Sequence, residues 1–348
     1  MRALIVMINI LHWSKNRTLR ITFGFLFISI AIYCLWLISS ASTASTASTT
    51  ENTSFYAIRA LPEKIELDVE KVALGKSLFH DPRLSLNNTV SCASCHNLST
   101  GGVDGLSRSV GINAGVSAVN TPTVFNSGFN FVQFWDGRAI SLEDQIEGPL
   151  NHPKEMGSNW KQVVGKLSQD KFSLNQFIKF YPDGITPTNI KDAIATFERS
   201  LITPNSRFDK FLNGEINAIN QQEKHGYELF QSYGCTSCHQ GMNIGGNMYE
   251  KMGLMGNYFA DRGNLTEADN GRFNLNHDSN SLHEFRVPSL RNVALTAPYF
   301  HDGYAKTLDD AVAIMAKYQL GRPMPKDDMD AIVAYLKTLT GEYEGKPL

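Results

Sequence analysis

Cysteine, net charge and long apolar runs are all scarce in this chain of 348 residues, and each shortage excludes something. Lys and Arg number 32 against 34 Asp and Glu, a formal charge of −2. Nucleic-acid binders normally carry a basic surplus, so that function class is set aside. Alternating apolar and polar runs are few, which argues against a sandwich or barrel and for a mostly α fold. Hydrophobic residues still make up 42%, enough to build buried cores, so a disordered chain is excluded. At ~150 residues per domain the length predicts two domains plus extra segments.

The one long uncharged run is Ile21 to Ile38. It approaches the ~20 apolar residues that cross a bilayer. Arg2, Lys15, Arg17 and Arg20 precede it, and the next charge is Glu51. By the positive-inside rule, residues 1–20 are a cytoplasmic basic N-terminus and 21–38 a transmembrane anchor. The body is then expected on the periplasmic side of a bacterial inner membrane. A cleaved signal peptide is the competing reading; its apolar region is typically ~7–15 residues, and Ser40-Ala41-Ser42 is a poor cleavage site. Residues 39–54, with ASTASTASTT at 41–50, read as a flexible Ser/Thr/Ala tether. Two folded domains are expected beyond it, over 55–215 and 216–348.

Of the five cysteines, Cys34 lies inside the apolar run and reads as membrane filler. The other four form two Cys-x-x-Cys-His motifs, Cys92-Ala-Ser-Cys95-His96 and Cys235-Thr-Ser-Cys238-His239. Two thiols at this spacing add to the vinyl groups of a haem, and the following histidine supplies an imidazole to the iron. A thioredoxin-like pair does not require the histidine, and one zinc shared by the four cysteines would leave both histidines as coincidence. Two covalent c-type haems are therefore expected.

LGKSLF (74–79) ahead of the first motif and HGYELFQSYG (225–234) ahead of the second mark an internal duplication. Helical signals recur over 140–150, 188–202 and 328–339, with Ile190, Ala193, Phe197 and Leu201 at helical spacing in the second. Together these predict two cytochrome c-like haem domains preceded by the transmembrane helix. Met315 lies in a helix capped by Thr307 and Asp310 and is a candidate second ligand for one iron. Met242, Met248, Met252 and Met255 are rivals, and spacing does not choose among them. His80, His152, His225, His277, His283 and His301 read as surface or core histidines.

Longer stretches carry a family likeness: LGKSLFHDPRLS (74–85), SCASCHNLSTGGVDG (91–105), NTPTVFNSGFNFVQFWDGRA (120–139), GPLNHPKEM (148–156), FRVPSLRNVALTAPYFHDG (285–303) and IMAKYQLG (314–321). In these the chain resembles the bacterial dihaem cytochrome c peroxidases, with the MauG-type enzymes as close relatives. The resemblance implies a peroxidatic haem on His96 and an electron-transferring haem on His239 with Met315. It also implies Trp135 between the haems, and Gln145 and Glu155, with Pro149 beside them, above the peroxidatic iron. Asn120, Thr296 and Pro298 match positions that hold a calcium ion, a cation that prefers oxygen ligands. The implied reaction is reduction of hydrogen peroxide to water with electrons from a small cytochrome c or a cupredoxin; a homodimer is left open.

One position departs from the pattern. Many family members have a histidine after the Ser-(Ile/Val)-Gly of the loop that follows GGVD, and it caps the peroxidatic iron at rest; here that position is Ile112. Isoleucine has no lone pair, so activity without prior reduction is expected, with His80 the unfavoured substitute. The same departure suits a MauG-like oxidase of a partner protein, against which Met315 stands, although Tyr304 and Tyr318 are near. A non-catalytic dihaem electron carrier is the third reading.

Overall fold

A computed structural model describes residues 57–348; the expected anchor, the tether and Cys34 lie outside the described residues. Among the described residues no helix is long and apolar enough to cross a membrane. The described part is mostly helical, with only two small antiparallel ladders: β1 (Tyr249–Lys251) with β2 (Glu284–Arg286), and β3 (Glu342–Tyr343) with β4 (Lys346–Pro347). The longer helices are α1 (Val69–Phe79), α2 (Leu142–Asn151), α3 (Trp160–Ser168), α4 (Lys171–Ile178), α5 (Pro187–Ser200), α6 (Gln221–Ser232), α7 (Leu308–Tyr318) and α8 (Lys326–Lys337).

Local chemistry sets their ends. Thr186 accepts from the Asn189 N–H at the start of α5, with Pro187 in the first turn. Reciprocal capping boxes open α6 (Asn220 with Glu223) and α7 (Thr307 with Asp310), the second of them expected from the sequence. The helices predicted over 140–150, 188–202 and 328–339 are α2, α5 and α8.

Two separate apolar cores result. The first gathers Leu74 and Leu78 of α1, Leu150 of α2, and Ile190, Ala193, Phe197 and Leu201 in and just after α5. The second gathers Tyr227 and Phe230 of α6, Val312 of α7, and Ile332, Val333 and Leu336 of α8. Each core is built on one helix crossing. α1 meets α5 at Gly75, where an added Cβ would lie 2.0 Å from the Ala193 carbonyl oxygen and 2.7 Å from Phe197 Cβ. α6 meets α8 at Gly226, where it would lie 1.9 Å from the Ala331 carbonyl oxygen and 3.0 Å from Tyr335 Cβ. The duplication visible in LGKSLF and HGYELF is thus a repeated crossing, with glycine at the point where two backbones touch. Gly226→Ala is expected to destabilise the holo-protein by about 1–3 kcal/mol through overpacking, despite alanine's better helix propensity, and a denaturation midpoint measures it.

The two cores exchange their ends. Ile58 packs into the second core and its backbone bridges Gly241, while Tyr343 and Leu348 pack against the first. Arg291 ties this down: fully buried, it donates to Asp209 (2.6 Å) and to the carbonyls of Arg59 (2.9 Å) and Met242 (2.9 Å). A cut of the chain at 215/216 therefore does not separate the packing, because residues 57–59 fold with the C-terminal half.

Candidate active site

Each Cys-x-x-Cys-His motif borders its own cavity. Cys92 to Cys95 form a single helical turn with His96 as its C-cap; Cys235 to Ser237 form a 3-10 turn two residues beyond α6. The first motif follows α1 only after an intervening loop, so the two copies are not superposable in spacing. Cys92, Cys95 and His96 line one cavity, and Cys235, Cys238 and His239 line another. The four cysteines therefore cannot share one zinc.

The side chains fit covalently held haem. His96 Nδ1 lies 3.3 Å from the Gly102 carbonyl and His239 Nδ1 lies 3.4 Å from that of Ile244. A carbonyl only accepts, so each Nδ1 carries the proton and each Nε2 keeps its lone pair, the form that binds iron. Burial pushes both imidazoles down, His239 to about 4, which holds them neutral. Burial also pushes the Cys92 thiol up to about 12 and Cys235 up to about 11, and the two partner thiols rise as well. That is the opposite of the depression that activates a redox pair.

The first cavity brings together Gln145 and Pro149 of α2 with Glu155 from the loop after it. Pro149 is accommodated inside α2, and its carbonyl accepts from the Met156 N–H (3.1 Å). Glu155 is clamped by the loop at 109–117. Its carbonyl accepts from the Ile112 N–H (2.9 Å), and Ser117 Oγ donates to its Oε1 (3.4 Å). Gly111 is required there, since a Cβ would fall 2.2 Å from the Lys154 carbonyl oxygen. The Ile112 side chain is buried away from the cavity, against Gly157. His96 is the only histidine on this cavity wall among the described residues; Met156 borders it too, but is built into the first core. His80 is exposed on α1's C-cap, its ring bonded to the Lys76 carbonyl.

The second cavity brings together Met315 of α7, Trp135, Thr296, Pro298 and Asn120. Met252 and Met324 also line it, whereas Met242, Met248 and Met255 do not. Neither Tyr304 nor Tyr318 reaches it, the latter's hydroxyl donating to Asp261 (2.8 Å); Tyr299 does border it, and donates to the Val293 carbonyl (3.0 Å). Trp135 donates its indole N–H to the Asn120 carbonyl (2.9 Å). Asn120 stands on the wall common to both cavities, so Trp135 on the second site is fastened to the boundary with the first. Asn120 Nδ2 donates to the Leu106 carbonyl (2.8 Å), which turns the amide oxygen free for another partner.

Sequence reasoning missed Glu198 and Arg286, both cavity-lining and both buried. Glu198 Oε2 has no hydrogen-bond partner, and burial pushes its carboxyl up to about 8, so it is a neutral acid at pH 7. Its signal is hidden because six consecutive residues of α5, Ala193 to Glu198, are buried, which no amphipathic pattern reveals. Among the described residues the one cluster of metal-type side chains, Asp269, His301 and Asp302, is already bridged by Arg262, which donates to both carboxylates.

Comparison with known proteins agrees with this geometry. The family model for di-haem cytochrome c peroxidase matches residues 69–217, and that for cytochrome c matches 223–340. Cytochrome c peroxidase Ccp of Escherichia coli is 49% identical over 287 residues, 82% of this chain and 61% of that protein. Cytochrome c551 peroxidase of Nitrosomonas europaea is 45% identical over 281 residues, 79% of this chain and 81% of that protein. A solved MauG-like protein associated with microbial copper homeostasis superposes with a TM-score of 0.71 at 27% identity, covering 83% of this chain and 94% of that one. With two haem-binding motifs on two cavities and this likeness along most of its length, the chain belongs to the bacterial di-haem cytochrome c peroxidases.

Proposed function

We propose that this protein reduces hydrogen peroxide to water, taking two electrons from two molecules of a small c-type cytochrome or cupredoxin, and that it needs no prior reduction. In balance, one peroxide, two electrons and two protons give two waters. The observation that carries the reading is that Glu155 and Gln145 line the same cavity as His96. When bound, the two haems supply peroxide activation at the first site and electron storage at the second. Everything else falls to the side chains. Glu155 takes the proton from the near oxygen of peroxide and returns it to the far one, a base that becomes an acid; such a positioned group contributes ~10²–10⁴-fold. Ser117 orients its carboxylate, and the Gln145 amide orients the substrate without exchanging protons. Trp135, hydrogen-bonded to the shared wall, is the bridge for electrons.

Met315, which lines the same cavity as His239, is the favoured second ligand for the iron there, and a methionine–iron charge-transfer band in the spectrum of the oxidised protein is the expected result that tests it. Asn120, Thr296 and Pro298 are proposed to hold calcium, the unpaired Asn120 amide oxygen and neighbouring carbonyls being the donors a hard cation takes. The protein is proposed to stand on the periplasmic side of the inner membrane, held by residues 21–38.

The test is steady-state peroxide turnover with a reduced cytochrome c, begun with enzyme never exposed to reductant. Immediate turnover is expected; a lag abolished by pre-reduction would show that a side chain blocks the first iron. A MauG-like oxidase is the second reading, favoured by Ile112 in place of the capping histidine. It would oxidise a partner protein and would lack the methionine band.

A further inference from the structure

Arg286 is a buried cation for which the polypeptide provides no anion. It ends β2 and is 4% exposed. Its backbone N–H donates to the Trp135 carbonyl (2.8 Å) and its Nε–H to the Phe134 carbonyl (3.1 Å). Among the described residues its two terminal nitrogens meet no hydrogen-bond acceptor, and no carboxylate lies within ion-pair distance. The other deeply buried guanidiniums differ: Arg291 is paired with Asp209 (2.6 Å) and Arg262 with Asp269 (2.7 Å). Tyr249, paired with Arg286 across the β1–β2 ladder, is a phenol whose pKa burial raises, and Glu284 on the same strand is taken by Arg272 (2.9 Å). Burial pushes Arg286 down only to about 10, so it stays charged at neutral pH. A buried charge left without a partner is strongly destabilising, and guanidinium is suited to grip a carboxylate with two parallel N–H bonds.

The residue's position says which carboxylate. Arg286 borders both cavities, on the wall formed by residues 120–123 and Asn130. Those cavities carry the two haem-attachment motifs, and each haem brings two propionates and no other anionic group. We propose that Arg286 is a positioning residue that binds a haem propionate at the wall between the two sites and so sets the reduction potential of the haem it holds. The proposal rests on the two-haem reading.

The test uses holo-protein carrying both haems, with Arg286→Gln and Arg286→Lys compared by spectroelectrochemical titration of each haem. Loss of the cation favours the oxidised, more positive form. Arg286→Gln is therefore expected to shift the oxidation equilibrium of one haem at least tenfold, a fall of about 59 mV for a one-electron couple. Arg286→Lys retains the charge but loses the paired N–H fork, so it is expected to shift the equilibrium in the same direction by less than Arg286→Gln does. Unchanged potentials in a fully loaded Arg286→Gln protein overturn the proposal. If Arg286→Gln does not load its haems, loaded Arg286→Met and Arg286→Lys proteins decide: potentials of both haems unchanged in a loaded Arg286→Met protein overturn the proposal equally. A wild-type protein that carries no covalent haem would instead sink the reading beneath the proposal, before any variant is made.

Discussion

Glu155→Gln is expected to lower kcat for hydrogen peroxide by about 10²–10⁴-fold, while both haems remain attached. The substitution is isosteric, and the backbone contacts that place residue 155, to the Ile112 N–H and the His152 carbonyl, do not involve the side chain. Ser117 can still donate to the amide oxygen of the variant. What disappears is the lone pair that accepts a proton at neutral pH, since an amide is not a base. Glu155→Asp keeps the base but shortens its reach, so its loss is expected to be smaller. Steady-state kinetics with the visible spectrum recorded on the same samples checks both. Equal activity of wild type and Glu155→Gln would remove Glu155 from the reaction and leave Glu198 as the other carboxyl group lining that cavity.

Replacing both Cys235 and Cys238 by alanine is expected to halve the covalent haem content and to reduce donor-driven turnover to background. The second cavity is where electrons are expected to enter, and the first has no direct claim on the donor. A structural effect accompanies the kinetic one. Phe230, Val293, Leu308, Val312, Ile332 and Leu336 line this cavity and also form the second core. With the cavity unfilled, one face of each loses its packing partners, so the variant is expected to melt earlier than the wild type. Haem counting by the denatured-protein spectrum, together with calorimetry, separates the two effects. The corresponding change at Cys92 and Cys95 should leave reduction of the second haem by donor intact while abolishing peroxide turnover.

Much of the candidate site can be read from the linear chain because its chemistry is local. A haem attachment needs two thiols and an imidazole within five residues, so the motif is complete in sequence, and burial merely keeps the histidines neutral. The helix crossings are half legible: LGKSLF and HGYELF show that a unit is repeated, but only packing shows that Gly75 and Gly226 are points of backbone contact. Met315 and Met252 look alike along the chain, and both in fact reach the second cavity; three other methionines are eliminated only by their position.

Short-range covalent geometry thus determined the two attachment motifs, the duplicated helices and the mostly helical class, since each depends on spacing within one or two turns. Folding over long range decided the rest. It brought Glu155 to the same cavity as His96, a separation of 59 positions, and fastened Trp135 to Asn120. It also crossed the chain ends between the cores, and enclosed Glu198 and Arg286 without protein counter-charges. Desolvation is a property of the surroundings and not of the residue, so a buried acid and a buried cation are written with the same letters as exposed ones.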